Sequence, residues 1–331
     1  MKTQPSEYER VSARMTAPPP ARANKRGTAE RLEGLFWRAL MRTMPKSRKG
    51  DYCVGLLWFL RTQRRWPRHD RLWFNDQLFA IKTTDEIANP LRVFTSDKEL
   101  VKLYVKATVG AEHNVPTLAV LHTLDECRAF EFPQRCVIKP THLSAAVMLR
   151  RAGEPIDLTL IEGWFRRNAY TNSREANYRT LRPKLIVEPF VFDDDNPSDY
   201  KIFCVKGRPT VIQIDNDRFI HHTRNFYNPE WQRLPFHMTY PPGGDDSRPA
   251  NLALMLDVAS RLSRDFSFVR VDLYSNGQQV LVGELTHCHG GAREFFVPRS
   301  SEKEWSKLIF GDRAAIPANP PTNKTRKHSA R

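Results

Sequence analysis

Residues 268–286, FVRVDLYSNGQQVLVGELT, constrain the chain more than any other stretch. Two runs of alternating apolar and polar residues flank a turn signal, the pattern of an antiparallel strand pair. In the first run, alternation puts Val269, Val271 and Leu273 on one face and Arg270 and Asp272 on the other. In the second, Leu281, Gly283 and Leu285 share a face, leaving Glu284 and Thr286 opposite it. A two-residue turn at Asn276-Gly277 would set Asp272 against Leu281 and send Glu284 to the wrong face. A three-residue connection over 276–278 would set Asp272 against Val282, with Glu284 on its diagonal about 7–8 Å away. The spacing therefore predicts an odd-length loop or a bulge if the two acids act together. Paired carboxylates offer hard oxygen ligands to a magnesium ion that arrives with a nucleotide. The same pattern also fits an ordinary hairpin with two solvated acids.

Around this unit the chain reads as globular. Its 331 residues, 40% hydrophobic, suit one large domain or two intimate ones. The longest apolar run, Val54 to Leu60, falls far short of the roughly 20 residues that span a bilayer, and MKTQPSEYER has no apolar signal core. Cysteines 53, 127, 136, 204 and 288 are scattered and never form a C-x-x-C pair, which points to no disulfide framework and no structural zinc site. A cytoplasmic location is expected, with the inner membrane face as a peripheral option. The net charge of +15 is unevenly spread: residues 1–50 hold 12 Lys/Arg against 4 Glu, and residues 312–331 hold 5 against 1 acid. These basic ends, 1–28 and 312–331, are Pro-containing and poor in apolar residues, and are expected to be disordered. They could attract an anionic polymer or a membrane surface, or be solvated tails without a partner. No dedicated nucleic-acid motif is present.

Helical spacing of Leu32, Leu35, Phe36, Ala39 and Leu40 predicts a first helix from Thr28 to about Thr43. Further helices are expected from Tyr52 to about Arg65, from Asp97 to Gly110, around 158–169, and over 252–266. CVIKP (136–140) and KLIVEPFV (184–191) read as short strands, and KIFCVKG, PTVIQID, FSFVRVDLY and QVLVGELT as antiparallel ones. This order implies an α+β fold.

Three further features carry candidate chemistry. Lys139 ends an apolar strand, where it could meet a phosphate or simply reach water. Glu188 interrupts an apolar strand before a proline, placed to bond a ribose hydroxyl or amino group or to pair with a lysine. His287-Cys288-His289 and His221-His222 lack a spacing that specifies a metal and fit pocket lining or the surface. Phe226, Tyr227 and Trp231 of FYNPEW fit packing beneath the strands better than stacking on a base.

The ordered set NDQLFAIK, TSDKELVKLYVKATVG, PTLAVLHTLDE, CVIKPTH, LRPKLIVEPFV, SDYKIFCVKGRPTVIQIDNDR, FYNPEW, FSFVRVDLY and VGELT resembles the TupA-like branch of the ATP-grasp superfamily, named for teichuronopeptide biosynthesis, over about residues 67–300. The resemblance implies two α+β lobes sandwiching ATP: a helical, substrate-side region over 29–130, a small lobe over 131–191 and a large lobe with the metal site over 192–311. It implies that Lys98 and Lys139 contact phosphates and Glu188 lies in the adenosine hinge. His142 and Ser144 belong to the phosphate lid, and Asp272, Glu284 and Thr286 to the magnesium site. Lys201, Arg218 and Arg270 would face phosphate or a carboxylate substrate, with Asp199 orienting Lys201. The implied activity is ATP-dependent carboxylate–amine ligation, joining an amino acid or amine to a carboxylate-bearing saccharide. Alternatives are a kinase or a non-catalytic polymer-binding module. Two segments depart from the family: the lid, Thr141-His142-Leu143-Ser144-Ala145-Ala146, lacks its glycines, and Thr286-His287-Cys288-His289 replaces a threonine-aromatic-threonine-proline run. Without glycine the lid is expected to be stiffer and to make fewer phosphate contacts.

Overall fold

The computed structural model describes residues 28–68, 70, 72–194, 197–216 and 222–311. The two basic ends, apart from Thr28, lie outside the described residues, as do Arg218 and His221. The helices, in chain order, are α1 (Thr28–Thr43), α2 (Arg48–Gln63), α3 (Phe74–Thr83), α4 (Pro90–Ser96), α5 (Leu100–Thr108), α6 (Leu124–Ala129), α7 (Leu158–Phe165), α8 (Ala169–Ser173), α9 (Leu252–Ser263) and α10 (Ser301–Phe310). The strands are β1 (Ala119–Leu121), β2 (Cys136–Pro140), β3 (Met148–Arg150), β4 (Leu185–Glu188), β5 (Asp199–Val205), β6 (Arg208–Asn216), β7 (Thr223–Tyr227), β8 (His237–Met238), β9 (Val269–Ser275), β10 (Val280–Thr286) and β11 (Phe296–Val297).

Two larger antiparallel sheets organise these elements, one in the order β1-β4-β2-β3 and the other β10-β9-β5-β6-β7, with β8 and β11 forming a two-stranded third. The fold is α+β. The small sheet begins at Ala119, ahead of the boundary at 131 read from sequence, because β1 pairs with β4. The helix expected over 158–169 is two pieces, α7 and α8, with Asn168 capping the second through Tyr170 N. Asp97 stands before α5, where its Oδ1 accepts from the amides of Glu99 and Leu100 at 2.9 and 3.2 Å.

The small sheet packs α6 and α7 through Cys127, Ile138, Ile161, Trp164 and Val187. The large sheet is covered on both faces. On one, Ile202, Ile212, Val269, Val271 and Leu273 meet α9 and the Val101/Val105 side of α5. On the other, Phe203, Val211, Phe226 and Phe268 meet α3 and Trp305 of α10. FYNPEW contributes Phe226 to that core, and Tyr227 stacks on Trp231 at 4.5 Å. Further along the same strands, period-2 alternation brings Lys201, Asp215, Arg270 and Asp272 to the same face, of which Asp215 lines the cleft.

Candidate active site

The connection between β9 and β10 spans 276–279, four residues rather than an odd number, and parity is restored by a bulge between Val282 and Glu284. Val280, Val282 and Leu285 therefore face the core, while Leu281, Glu284 and Thr286 face the other way. This corrects the placement of Leu281 with Gly283 and Leu285, which assumed uninterrupted alternation. Glu284 lies directly opposite Asp272, closer than the expected diagonal, and Asp272 pairs in turn with Lys201 of β5. One cross-strand row thus carries two acids and a cation.

Arg270 holds the row together. Its Nε and Nη2 donate to both oxygens of Asp272 at 2.7 and 2.6 Å, and Nη2 reaches Glu284 Oε1 at 3.4 Å and Thr286 Oγ1 at 3.1 Å. Burial pushes the Asp272 carboxyl up to about 7, aided by the charge of Glu284 and opposed by Arg270 and Lys201. Burial also acts against Glu284, but Lys98 and Arg270 hold it below the usual carboxylate range. Lys201 is fixed by Asp199 at 2.6 Å and faces Asp215 at 3.4 Å.

The small lobe supplies a second charged set. Glu188 pairs with Lys139 at 2.8 Å and with Lys102 at 2.5 Å. Burial favours its neutral form, yet the two ammonium groups keep its carboxyl below its ordinary value. Of the partners sequence left open for Glu188, the lysine pairing is the one present. Lys98 donates to the Leu143 carbonyl oxygen at 2.6 Å, and burial lowers its pKa although Glu284 favours the charge. Between the lobes lies a cleft of about 650 Å³. Val137, Lys139, Val147 and Leu149 line one wall, Asp199, Asp215 and Tyr274 the other, and Pro189-Phe190-Val191 the back. The apolar groups suit a planar base and the charged groups its polar tail.

The lid residues divide. Leu143 is 2% exposed and belongs to the small-lobe core, so this lid position carries packing. Ala145 takes the role expected of glycine, with φ of 53°. Ser144 Oγ lies 3.3 Å from the Tyr178 hydroxyl. His142 is buried, and its Nε2 engages the carbonyl oxygens of Trp164 and Arg167 at 3.1 and 3.2 Å, which ties the lid to the end of α7. His289 meets Arg270 through Nδ1 at 2.6 Å, and His287 lies against Arg92 and Thr95. Both are buried.

Among the described residues no three His, Cys, Asp or Glu side chains form a cluster that could hold a metal alone. Two facing carboxylates and a hydroxyl, beside cations sized for phosphate, fit a hard dication that brings oxygens of its own.

Sequence reasoning missed Asp215, Arg224 and Lys102. The Asp215 side chain is 4% exposed, accepts from Arg224 Nε at 2.6 Å and Gln213 Nε2 at 2.9 Å, and is held far below the carboxylate range by Arg224, His222 and Lys201 against its desolvation. Alternation in Val211-Ile212-Gln213-Ile214-Asp215 carried the signal. Lys102 stands four residues after Lys98, one helical turn on.

The family model described as TupA-like ATPgrasp matches residues 77–310. No curated protein matches the chain. Solved structures similar to it include a D-alanine-D-alanine ligase from Helicobacter pylori, at 15% identity over 61% of this chain and 53% of that one, TM-score 0.35. A second D-alanine--D-alanine ligase, from Bacillus anthracis, shares 12% identity over 66% and 64%, TM-score 0.38. An L-amino acid ligase from Bacillus licheniformis shares 13% over 81% and 60%, TM-score 0.42. The chain thus spans between about half and two thirds of each of these solved chains. With more than half its length matched by that one family model, over the residues that build both walls of the cleft, the chain belongs to the TupA-like ATP-grasp family.

Proposed function

We propose that the protein is an ATP-dependent carboxylate–amine ligase. The observation that carries this reading is the row Glu284–Asp272–Lys201, which faces the inter-lobe side where Lys98 and Lys139 also lie. The γ-phosphoryl group of ATP passes to a carboxylate oxygen, giving ADP and an acyl phosphate. The amine nitrogen then attacks the acyl carbon, the C–O bond to phosphate breaks, and the amine's surplus proton goes to solvent or a nearby base. Lys139 and Lys98 would hold phosphate oxygens, and Arg270 and Lys201 would offset charge on the transferring group. Asp272, Glu284 and Thr286 would hold magnesium, which supplies charge neutralisation to the phosphates when bound. The carboxylate we assign to a uronic acid of a surface polysaccharide or its precursor, on family resemblance alone. The test is ATP consumption with magnesium across uronic acids and amino acids, with products identified by mass spectrometry. An amide whose formation needs both partners supports the ligase. A stable phosphorylated product formed without amine would make the protein a kinase instead.

A further inference from the structure

A surface helix of a globular body ordinarily turns its apolar stripe toward the core. In α1 the stripe is turned outward. Of the residues that recur there at helical spacing, Leu35 and Phe36 are 54% and 56% exposed, and Ala39 is exposed with them. The body is met from another side of the helix, where Trp37 stacks on Trp58 of α2 at 4.0 Å and the Arg61 guanidinium covers both rings. The end of α1 is tied down as well. Buried Arg174, which closes α8, donates to the carbonyl oxygens of Met41, Met44 and Pro45 at 2.9, 3.0 and 2.9 Å, and to Asp51 at 3.1 Å.

Charge says what covers the stripe. Residues 28–68 hold ten Lys/Arg against three Asp/Glu, whereas residues 69–311 hold 31 of each. All the surplus charge between residues 28 and 311 therefore belongs to α1, α2 and the turn after them. This segment precedes the residues that the family model matches, and none of its described residues lines the cleft. Lys46, Lys49, Arg61 and Arg64 are exposed, and helical spacing sets Arg31, Arg38 and Arg42 in one row along the border of the stripe.

The possible occupants differ in what they satisfy. A second copy, or either basic end of the chain, would cover the stripe but set like charge against like. An acidic polymer in water would answer the charge and leave Leu35 and Phe36 wet. A lipid surface rich in anionic headgroups answers both, because it takes apolar side chains at its acyl boundary and cations at its phosphates. We infer that α1 is a docking face for an anionic lipid surface, with Leu35, Phe36 and Ala39 entering the headgroup–acyl boundary and the surrounding Lys and Arg residues meeting headgroup phosphates. Among the described residues no helix is long and apolar enough to cross a membrane, so α1 holds the surface without spanning it. The inference stands apart from the reaction that the cleft runs.

The test is flotation of the full-length protein with vesicles of phosphatidylcholine alone, and of equal parts phosphatidylcholine and phosphatidylglycerol. Binding should require the anionic lipid. The double variant Leu35→Gln/Phe36→Gln keeps every charge and alters only exposed side chains. It should melt as the wild type does and partition onto the anionic vesicles at least about tenfold less. A Phe36→Trp reporter should add quenching by brominated acyl chains beyond that of the wild type. Equal binding to neutral vesicles, no added quenching, or partition of the double variant within twofold of wild type would overturn the inference, the last by handing the attraction to the basic ends. Two other results would overturn it too. Loss of polygalacturonate binding rather than vesicle binding in the double variant would make the stripe part of a polymer site. Loss of a lipid-free wild-type dimer, read by sedimentation, would give the stripe to a second copy.

Discussion

Asp272 and Glu284 oppose one another across β9 and β10 but are held differently. Asp272 is clasped by both arms of Arg270, and the two side chains are 9% and 11% exposed, whereas the Glu284 side chain is 40% exposed and lies 3.4 Å from the same guanidinium. Asp272→Asn therefore breaks a buried charge pair, a change that costs about 3–5 kcal/mol, and confounds catalysis with folding. Glu284→Gln is the cleaner probe. It should lower magnesium-dependent ATP turnover at least about 100-fold with a nearly unchanged melting temperature, and near-normal turnover by a folded variant would remove Glu284 from the metal site. His287 allows a pH test. Thr95 Oγ1 donates to the Leu91 carbonyl oxygen, so it accepts from His287 Nε2, while His287 Nδ1 accepts from Arg92 at 3.2 Å. Burial and then Arg92 keep its pKa well below the ordinary histidine value. The unfolded chain then binds the extra proton, so stability is full above about pH 6.5 and falls as pH drops below it, by at most about 1.4 kcal/mol per pH unit for this group. Denaturant midpoints measured from pH 7 to 5 should decline, and His287→Gln should flatten part of that slope. An identical slope in the variant would show that other groups carry it.

At the level of elements, β10 owes its chemistry to one extra residue. The bulge at Gly283 turns Glu284 to the face of Asp272 and Lys201 while Val282 and Leu285 stay in the core, and a Cβ at Gly283 would sit 3.0 Å from Tyr274 Cε2 and 3.4 Å from the Asp272 carbonyl oxygen. Gly283→Ala should cost roughly 1–3 kcal/mol by overpacking and depress turnover as well. Wild-type values for both would mean that the bulge tolerates a side chain. The lid gives the converse case. Ala145 has φ of 53°, where an L-residue costs about 1–2 kcal/mol, so Ala145→Gly should not destabilise the fold and should speed turnover if the lid limits it. Leu143→Gly is no companion test, because it would empty a core position. The strands of the large sheet were legible because alternation writes their faces directly into the residue order: Val269, Val271 and Leu273 are in the core as read, and Arg270 and Asp272 are on the opposite face. The bulge was legible only as a condition on two acids acting together, since its location depends on backbone geometry. The pairing of Lys102 with Glu188, 86 residues on, was not legible, because no local pattern records such a meeting.

On the scale of the whole molecule, α5 joins the two halves. Val101 and Val105 pack into the large-sheet core, while Lys102 between them pairs with Glu188 of the small sheet. The cleft therefore has one wall from each sheet beside a helix anchored in both, and the acids around it are paired with Arg270, Lys201, Lys139 and Lys102. The molecule's excess charge lies elsewhere. Residues 1–27 and 312–331 carry 11 Lys/Arg and 3 Asp/Glu between them, against a net charge of +15 for the whole chain. Charge of one sign concentrated outside the cleft raises the local concentration of an anionic polymer without entering the chemistry, and salt screens the attraction. A chain cut to residues 28–311 should then keep ATP turnover on free small substrates within about twofold and lose affinity for an acidic polysaccharide. Raising salt should weaken polymer binding by the full-length chain steeply and by the shortened chain little. Equal polymer affinity and equal salt dependence in the two would show that the ends recruit nothing and that any polymer is held by the folded body.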